Sequence, residues 1–298
     1  MSESGETAVA EVQPEPERDV ATRAAHRRRR RVVLAAVGAV VLLIAGGLAW
    51  AAWHGGQVHQ VDVQDAVDRY RQGTGTTDVA VPHGPAPGVY SATGSGTEKL
   101  SLQATARPMG PSMPVTVTRD GDDCWSFRIE FHDAHWQSWH SCVADGRLID
   151  RGGHVHQHFD FGAFGYDSDT DTVCDPPAKL LPAADTLAAV VPGDTWTQAC
   201  TIGEGSGASH QEGPATFLGT EVVVVGGADV QTYHLREERT FTGGQTGSSE
   251  DDTWFAVDTY LPVRKQWSTK VDTASPFGGS VSYEEQGSWQ IDDLVPQQ

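Results

Sequence analysis

The sequence predicts a mainly β protein. The expected architecture is one large, curved antiparallel sheet, a half-barrel or open barrel, with one or two short helices, preceded by a single transmembrane helix. Three observations carry that prediction. From Gly88 onward, runs rich in Val, Thr, Tyr, Phe and Trp recur about every 10 to 15 residues, broken by Gly, Asp and Pro. Apolar and polar residues alternate within these runs, which marks strands wet on one side. No long amphipathic helix interrupts them.

Residues 1–31 hold seven Arg, six acids, three Val and no Leu, Ile or aromatic residue. Such a segment buries too little apolar surface to offset its ordering entropy, and it reads as a disordered cytoplasmic arm. Val32–Trp53 then runs without a charge, long enough for a helix to cross a hydrocarbon core of roughly 30 Å. Arg27–Arg31 immediately precede it, which keeps the N-terminus cytoplasmic and places the rest outside the cell membrane. A cleaved signal peptide fits less well, because a long polar arm precedes the apolar run and bulky Trp50 and Trp53 end it.

Beyond the span lie fourteen of the 21 Lys and Arg and thirty-four of the 40 acids, a net charge of −20. That balance argues against nucleic acid as a partner, which needs a positive surface. The four cysteines, Cys124, Cys142, Cys174 and Cys200, all lie on the same side. An even count outside the membrane reads as two disulfides, and no C-x-x-C pair favours zinc instead.

Residues 54–87 read as a stalk leading to a β-domain at 88–298. Within the stalk, Val63, Ala66, Val67 and Tyr70 follow a helical period, with Asp62 placed to cap and Gly73 to stop the helix. "LLPAADTLAAVV" (Leu180–Val191) is the best helical stretch inside the β-domain.

One hairpin can be placed in register. Pairing Cys124 with Cys142 sets Ser126 opposite His140, Phe127 opposite Trp139, Arg128 opposite Ser138 and Glu130 opposite Trp136, with the turn on His132–Ala134. This register gathers Trp125, Phe127, Ile129, Phe131 and Trp139 on one face, and a one-residue slip would scatter them. Cys174 and Cys200 remain as the second pair. Asp145-Gly146 suits the turn into the next strand.

That next strand carries "GGHVHQHFDFG", with His154, His156 and His158 at alternate positions and therefore on one face. The row has three readings: a wet sheet face, a pH-sensitive surface, or a metal site for zinc, copper or nickel. A metal site needs a second strand. His140 is the best-placed contributor if the Gly152-Gly153 pair forms a bulge, giving a candidate set of His140, His154, His156 and His158. Asp167, Asp169 and Asp171 resemble a calcium loop, but Thr172 and Ala178 stand where that motif needs Gly and Glu. The stretch therefore reads as a solvated acidic loop, as does "GSSEDD". Gly203–Gly207 lacks the Lys of a phosphate loop. Ser206, Ser209 and His210 lack a nucleophile elbow. No catalytic residue emerges.

The segments "APGVYSATGSG", "CDPPAKLLP", "PGDTWTQAC" and the closing "TWFAVDTYLPVRKQWSTKV…GSWQIDDLVP" resemble membrane-anchored extracytoplasmic proteins of high-GC Gram-positive bacteria. Their architecture is similar to the half-barrels of lipoprotein carriers and mycobacterial lipid-binding lipoproteins. The resemblance carries over no functional residue; the leading reading of the tethered, curved sheet is a non-enzymatic binding protein, with a hydrophobic molecule or a cell-envelope partner on the concave face. The residues themselves leave open a second reading, a histidine-based metal-binding envelope protein with hydrolytic chemistry.

Overall fold

The computed structural model describes residues 58–73, 84–161, 165–182, 189–274 and 279–298. The arm at 1–31, the span at 32–53 with its Arg27–Arg31 flank, and the centre of the helical stretch at 183–188 lie outside the described residues. Among the described residues no helix is long and apolar enough to cross a membrane.

Among the described residues the fold is mainly β, one curved antiparallel sheet of fourteen strands. The strands are β1 (Gly88–Tyr90), β2 (Ala92–Leu100), β3 (Arg107–Met109), β4 (Val115–Arg119), β5 (Cys124–His132), β6 (His135–Ala144) and β7 (Arg147–Asp160). They continue as β8 (Gly165–Lys179), β9 (Thr195–Ile202), β10 (Ser209–Val225), β11 (Ala228–Gly243), β12 (Gln245–Ala256), β13 (Pro262–Ala274) and β14 (Ser280–Ile291). From β4 to β14 each strand bonds to the next in sequence, and β2 then follows β14.

The two ends of this order are joined. One register runs from Gly88 opposite Val117, through Thr93 opposite Ser112, to Glu98 opposite Arg107. Residues 88–100 and 107–117 are thus a single long hairpin, interrupted at Ser91 and at Gly110-Pro111. One leg bonds to β14 and the other to β5, so the ladder returns to its own start. The thinnest seam is β8 against β9, where only Thr172 with Ile202 and Val173 with Thr201 pair. Cys174 and Cys200 occupy the next position of that register and are disulfide-bonded. The covalent link continues the seam where the backbone pairing stops.

The other disulfide, Cys124–Cys142, lies in the expected register, with all four predicted partner pairs observed. The turn is tighter than expected. His132 pairs with His135 after a register shift past Glu130, which leaves Asp133-Ala134 as the turn. Trp125, Phe127, Ile129 and Phe131 are all buried inside the sheet, and the Phe127 and Trp139 rings lie 5.8 Å apart. Asp145 and Gly146 both take the positive φ that a tight two-residue turn requires.

The helix expected in the stalk is α1 (Val63–Gly73). Asp62 Oδ1 accepts from the Gln64 N–H at 2.7 Å and caps it. Ala66, Val67 and Tyr70 bury against Val89 of β1. The approach to the helix is tied to the sheet as well: Gln60 donates to the Gly110 carbonyl and Ser112 to that of Val61.

Two segments read as loops are strands. Asp167, Asp169 and Asp171 lie on β8, opposite His158, His156 and His154. "GSSEDD" lies inside β12, with Ser249 and Asp251 buried. In both, charge concealed the alternation. On β8 the outward positions are acidic and the inward ones are Ser and Thr, and on β12 the inward pair is Ser249 and Asp251, so neither face looks apolar.

Candidate functional site

A bulge in β7 sets the site. Leu148 and Asp150 point inward, and unbroken alternation would send His154, His156 and His158 inward after them. The register instead slips between Asp150 and Gly152. Gly152 sits at φ +115°, with Thr172 O 1.9 Å from where a Cβ would be, and Gly153 meets Ser138 O equally closely. No residue with a side chain fits either position. The slip turns Val155, Gln157 and Phe159 inward and the histidines out. Asp150 Oδ1 accepts from the Gly152 N–H at 2.8 Å, which holds its carboxyl towards the interior.

Outside, each predicted residue has an acidic partner, and His154 and His156 share Asp169. His154 Nδ1 lies 2.7 Å from Asp171, His156 Nδ1 2.8 Å from Asp169, and His158 Nδ1 2.6 Å from Asp167. His140 Nε2 lies 2.7 Å from Asp120. Trp136 stacks against His154 and His156, with Arg128 over its ring. Two groups of three ligand-type side chains among the described residues have ligand atoms within 4.8 Å of one another. Neither combines His140 with the histidine row. One is Cys124, His140 and Cys142, whose sulfurs are spent on a disulfide.

The other group is buried, and sequence reasoning did not assemble it: Glu98 of β2 with His132 and His135 at the β5–β6 turn. Ala134 N–H donates to His132 Nδ1 at 3.2 Å, so Nε2 carries the proton and donates to Glu98 Oε1 at 2.7 Å. His135 Nδ1 lies 3.1 Å from Glu98 Oε2, and Arg107 Nη2 lies 2.6 Å from Oε1. Burial alone would raise the Glu98 carboxyl, but His135, His132 and Arg107 outweigh it and hold the group well below the usual carboxylate range. Burial lowers His132, whereas at His135 the Glu98 charge overcomes burial and raises the ring. A metal ion here would have to displace a guanidinium and take the His132 proton. The donor set suits an ion-pair network centred on Glu98 better than a cation.

Next to this network the concave face opens into a cavity of about 220 Å³. Its wall includes Gln137, Asp150, Gln157, Arg239, Lys265 and Glu285. A smaller space of about 50 Å³, lined by Trp125, Phe127, Phe255, Tyr260 and Trp289, adjoins it and shares Trp139, Asp150, Arg239 and Lys265. Arg239 is held by Glu237 and Asp251, and Lys265 lies 3.6 Å from Asp251 with its ammonium 4.7 Å over Trp139. Burial raises the Asp150 carboxyl to about 7 and raises Glu285. Trp267 and Tyr283 both donate to Glu285, at 2.7 and 2.8 Å.

No protein-family profile matches the chain, and no curated protein is similar to it in sequence. Among solved structures, the chain is similar to the hypothetical lipoprotein YmcC of Escherichia coli K12, at a TM-score of 0.30 with 13% identity, over 78% of this chain and 99% of that one. The resemblance to high-GC Gram-positive proteins finds no counterpart in these matches.

Proposed function

We propose that the chain is an extracytoplasmic, membrane-tethered binding protein that encloses a small ligand on the concave face of its sheet. One observation carries this reading: the interior is not filled. Converging amides, carboxyls and two cations surround a cavity at a level of the sheet where an ordinary core would be packed. The two disulfides fit an oxidising compartment. The residues that fold the sheet leave Asp150, Arg239 and Lys265 at the shared wall of both spaces.

The wall's polarity alters the ligand expected from the sequence. An apolar chain would strip water from these groups without replacing its hydrogen bonds, at about 1–3 kcal/mol for each group left unsatisfied. A polar molecule with a small apolar part fits better than a lipid. Native mass spectrometry of the full chain, released gently from its host membrane, tests the proposal. A bound small molecule lost on unfolding is the expected result. A chain of bare mass that also binds no small molecule in a thermal-shift panel would defeat it.

A further inference from the structure

We infer that the cavity accepts a neutral, polyhydroxylated ring, a single sugar unit. The inference rests on the ligand-binding reading above and assigns its chemistry. Charge is the first argument. Each cation of the wall has an anion: Arg239 is paired with Glu237 and Asp251, and Lys265 stands beside Asp251. Asp150 and Glu285 are pushed towards their neutral forms by burial. A charged ligand would enter without an unpaired counter-charge and would carry its desolvation cost uncompensated.

Hydrogen-bonding capacity is the second argument. Side-chain amides and carboxyls both donate and accept, which matches hydroxyl groups that do the same. Asp150 and Gln211 place such groups around one space, beside Gln137 and Gln157, whose amide nitrogens already bond Glu285, Glu98 and Tyr283. Trp139 and Trp267 belong to the same wall and offer apolar surface to ring C–H groups. Size is the third. About 220 Å³ with a 50 Å³ annex lies just below the roughly 300–1,000 Å³ of pockets for drug-sized molecules. One ring fits, with room in the annex for a substituent no larger than a methyl or acetyl group.

The test uses the full chain in a detergent that carries no sugar. Glucose, galactose, mannose, N-acetylglucosamine and methyl glucoside are titrated by calorimetry, beside glucuronate, glucosamine and laurate. A disaccharide series distinguishes a free sugar from the end of a glycan. Saturable binding of at least one neutral ring is expected, together with weak or absent binding of the charged sugars and of laurate. Asp150→Leu and Gln211→Leu should each weaken binding about ten-fold, the scale of one lost hydrogen bond. Thermal unfolding of each variant checks its fold, and Gln211→Leu decides if Asp150→Leu fails to fold. Tight binding of laurate or of a charged sugar, with none for the neutral rings, would overturn the sugar assignment and leave the binding-protein reading intact. A chain that binds nothing in the panel and retains no molecule from its host would overturn both.

Discussion

Glu98 and Arg107 face each other across β2 and β3, 2.6 Å apart, with side chains 0% and 4% exposed. The pair sits where the long hairpin closes the sheet, and the carboxylate also holds His132 and His135. Removing one partner strands the other charge in the interior. Glu98→Gln should therefore cost roughly 3–5 kcal/mol in urea unfolding, whereas the double change Glu98→Met with Arg107→Met should cost clearly less than the single one. Equal losses in the two variants would mean that the charges are not coupled. The depressed Glu98 carboxyl stabilises the fold above the ordinary glutamate pKa. That contribution should be eroded as pH falls below it.

Asp150 acts in the opposite sense. Unfolded, it releases its proton near 3.8; folded, it keeps the proton up to about 7. Between those values the folded state carries a proton that the unfolded state lacks, so stability falls as pH rises from about 4 to about 7 and then levels. Asp150→Asn removes the penalty. The variant should be more stable than the parent by ~4 kcal/mol at pH 8 and indistinguishable from it at pH 4. A pH-independent difference in denaturation midpoint would contradict this account.

The Cys174–Cys200 bond should matter locally as well as globally. Replacing both residues with Ser is expected to cost ~3 kcal/mol. Amide exchange should then accelerate in β9 and in the facing part of β8, because just two residue pairs remain between those strands. The β5–β6 hairpin, paired along its length, should be untouched. Unchanged exchange in β9 would show that the seam is held by something else.

The outer histidines give a fourth prediction. His154 and His156 both reach Asp169 Oδ1, at 3.2 and 2.8 Å, and this shared carboxylate is the nearest approach to a ligand set in the row. Cross-strand pairing already satisfies these rings, so zinc should leave the melting temperature of the parent unchanged. A rise that disappears in His154→Gln with His156→Gln would establish a metal site there.

How far the sequence could be read follows from which face carried the signal. The β5–β6 register was legible because two constraints agreed: a cysteine pair and an aromatic face that tolerates no slip. The bulge was legible because two adjacent glycines interrupt an otherwise regular strand. β8 and part of β12 were not, because their inward residues, such as Thr170 and Ser249, line a polar cavity and give no apolar stripe. Glu98, His135 and Glu285 come from segments far apart in the chain, so no local spacing could join them. A weaker clue existed. Gln157 sits between Val155 and Phe159, and Glu285 between Tyr283 and Trp289, each on a face otherwise apolar or aromatic. Polar residues in that position mark an interior that is not wholly hydrophobic.

The hairpin formed by residues 88–100 and 107–117 also governs how the molecule meets other chains. A sheet with two long free edges offers unpaired N–H and C=O groups to any extended peptide, and strand addition and aggregation both begin there. Here β14 and β4 have both sides occupied. A protein partner must therefore recognise side chains at these strands, because the backbone is already engaged. A chain shortened past Met109 would unpair β14 and the start of β4 together. It would fail by self-association well before its core residues had lost their neighbours.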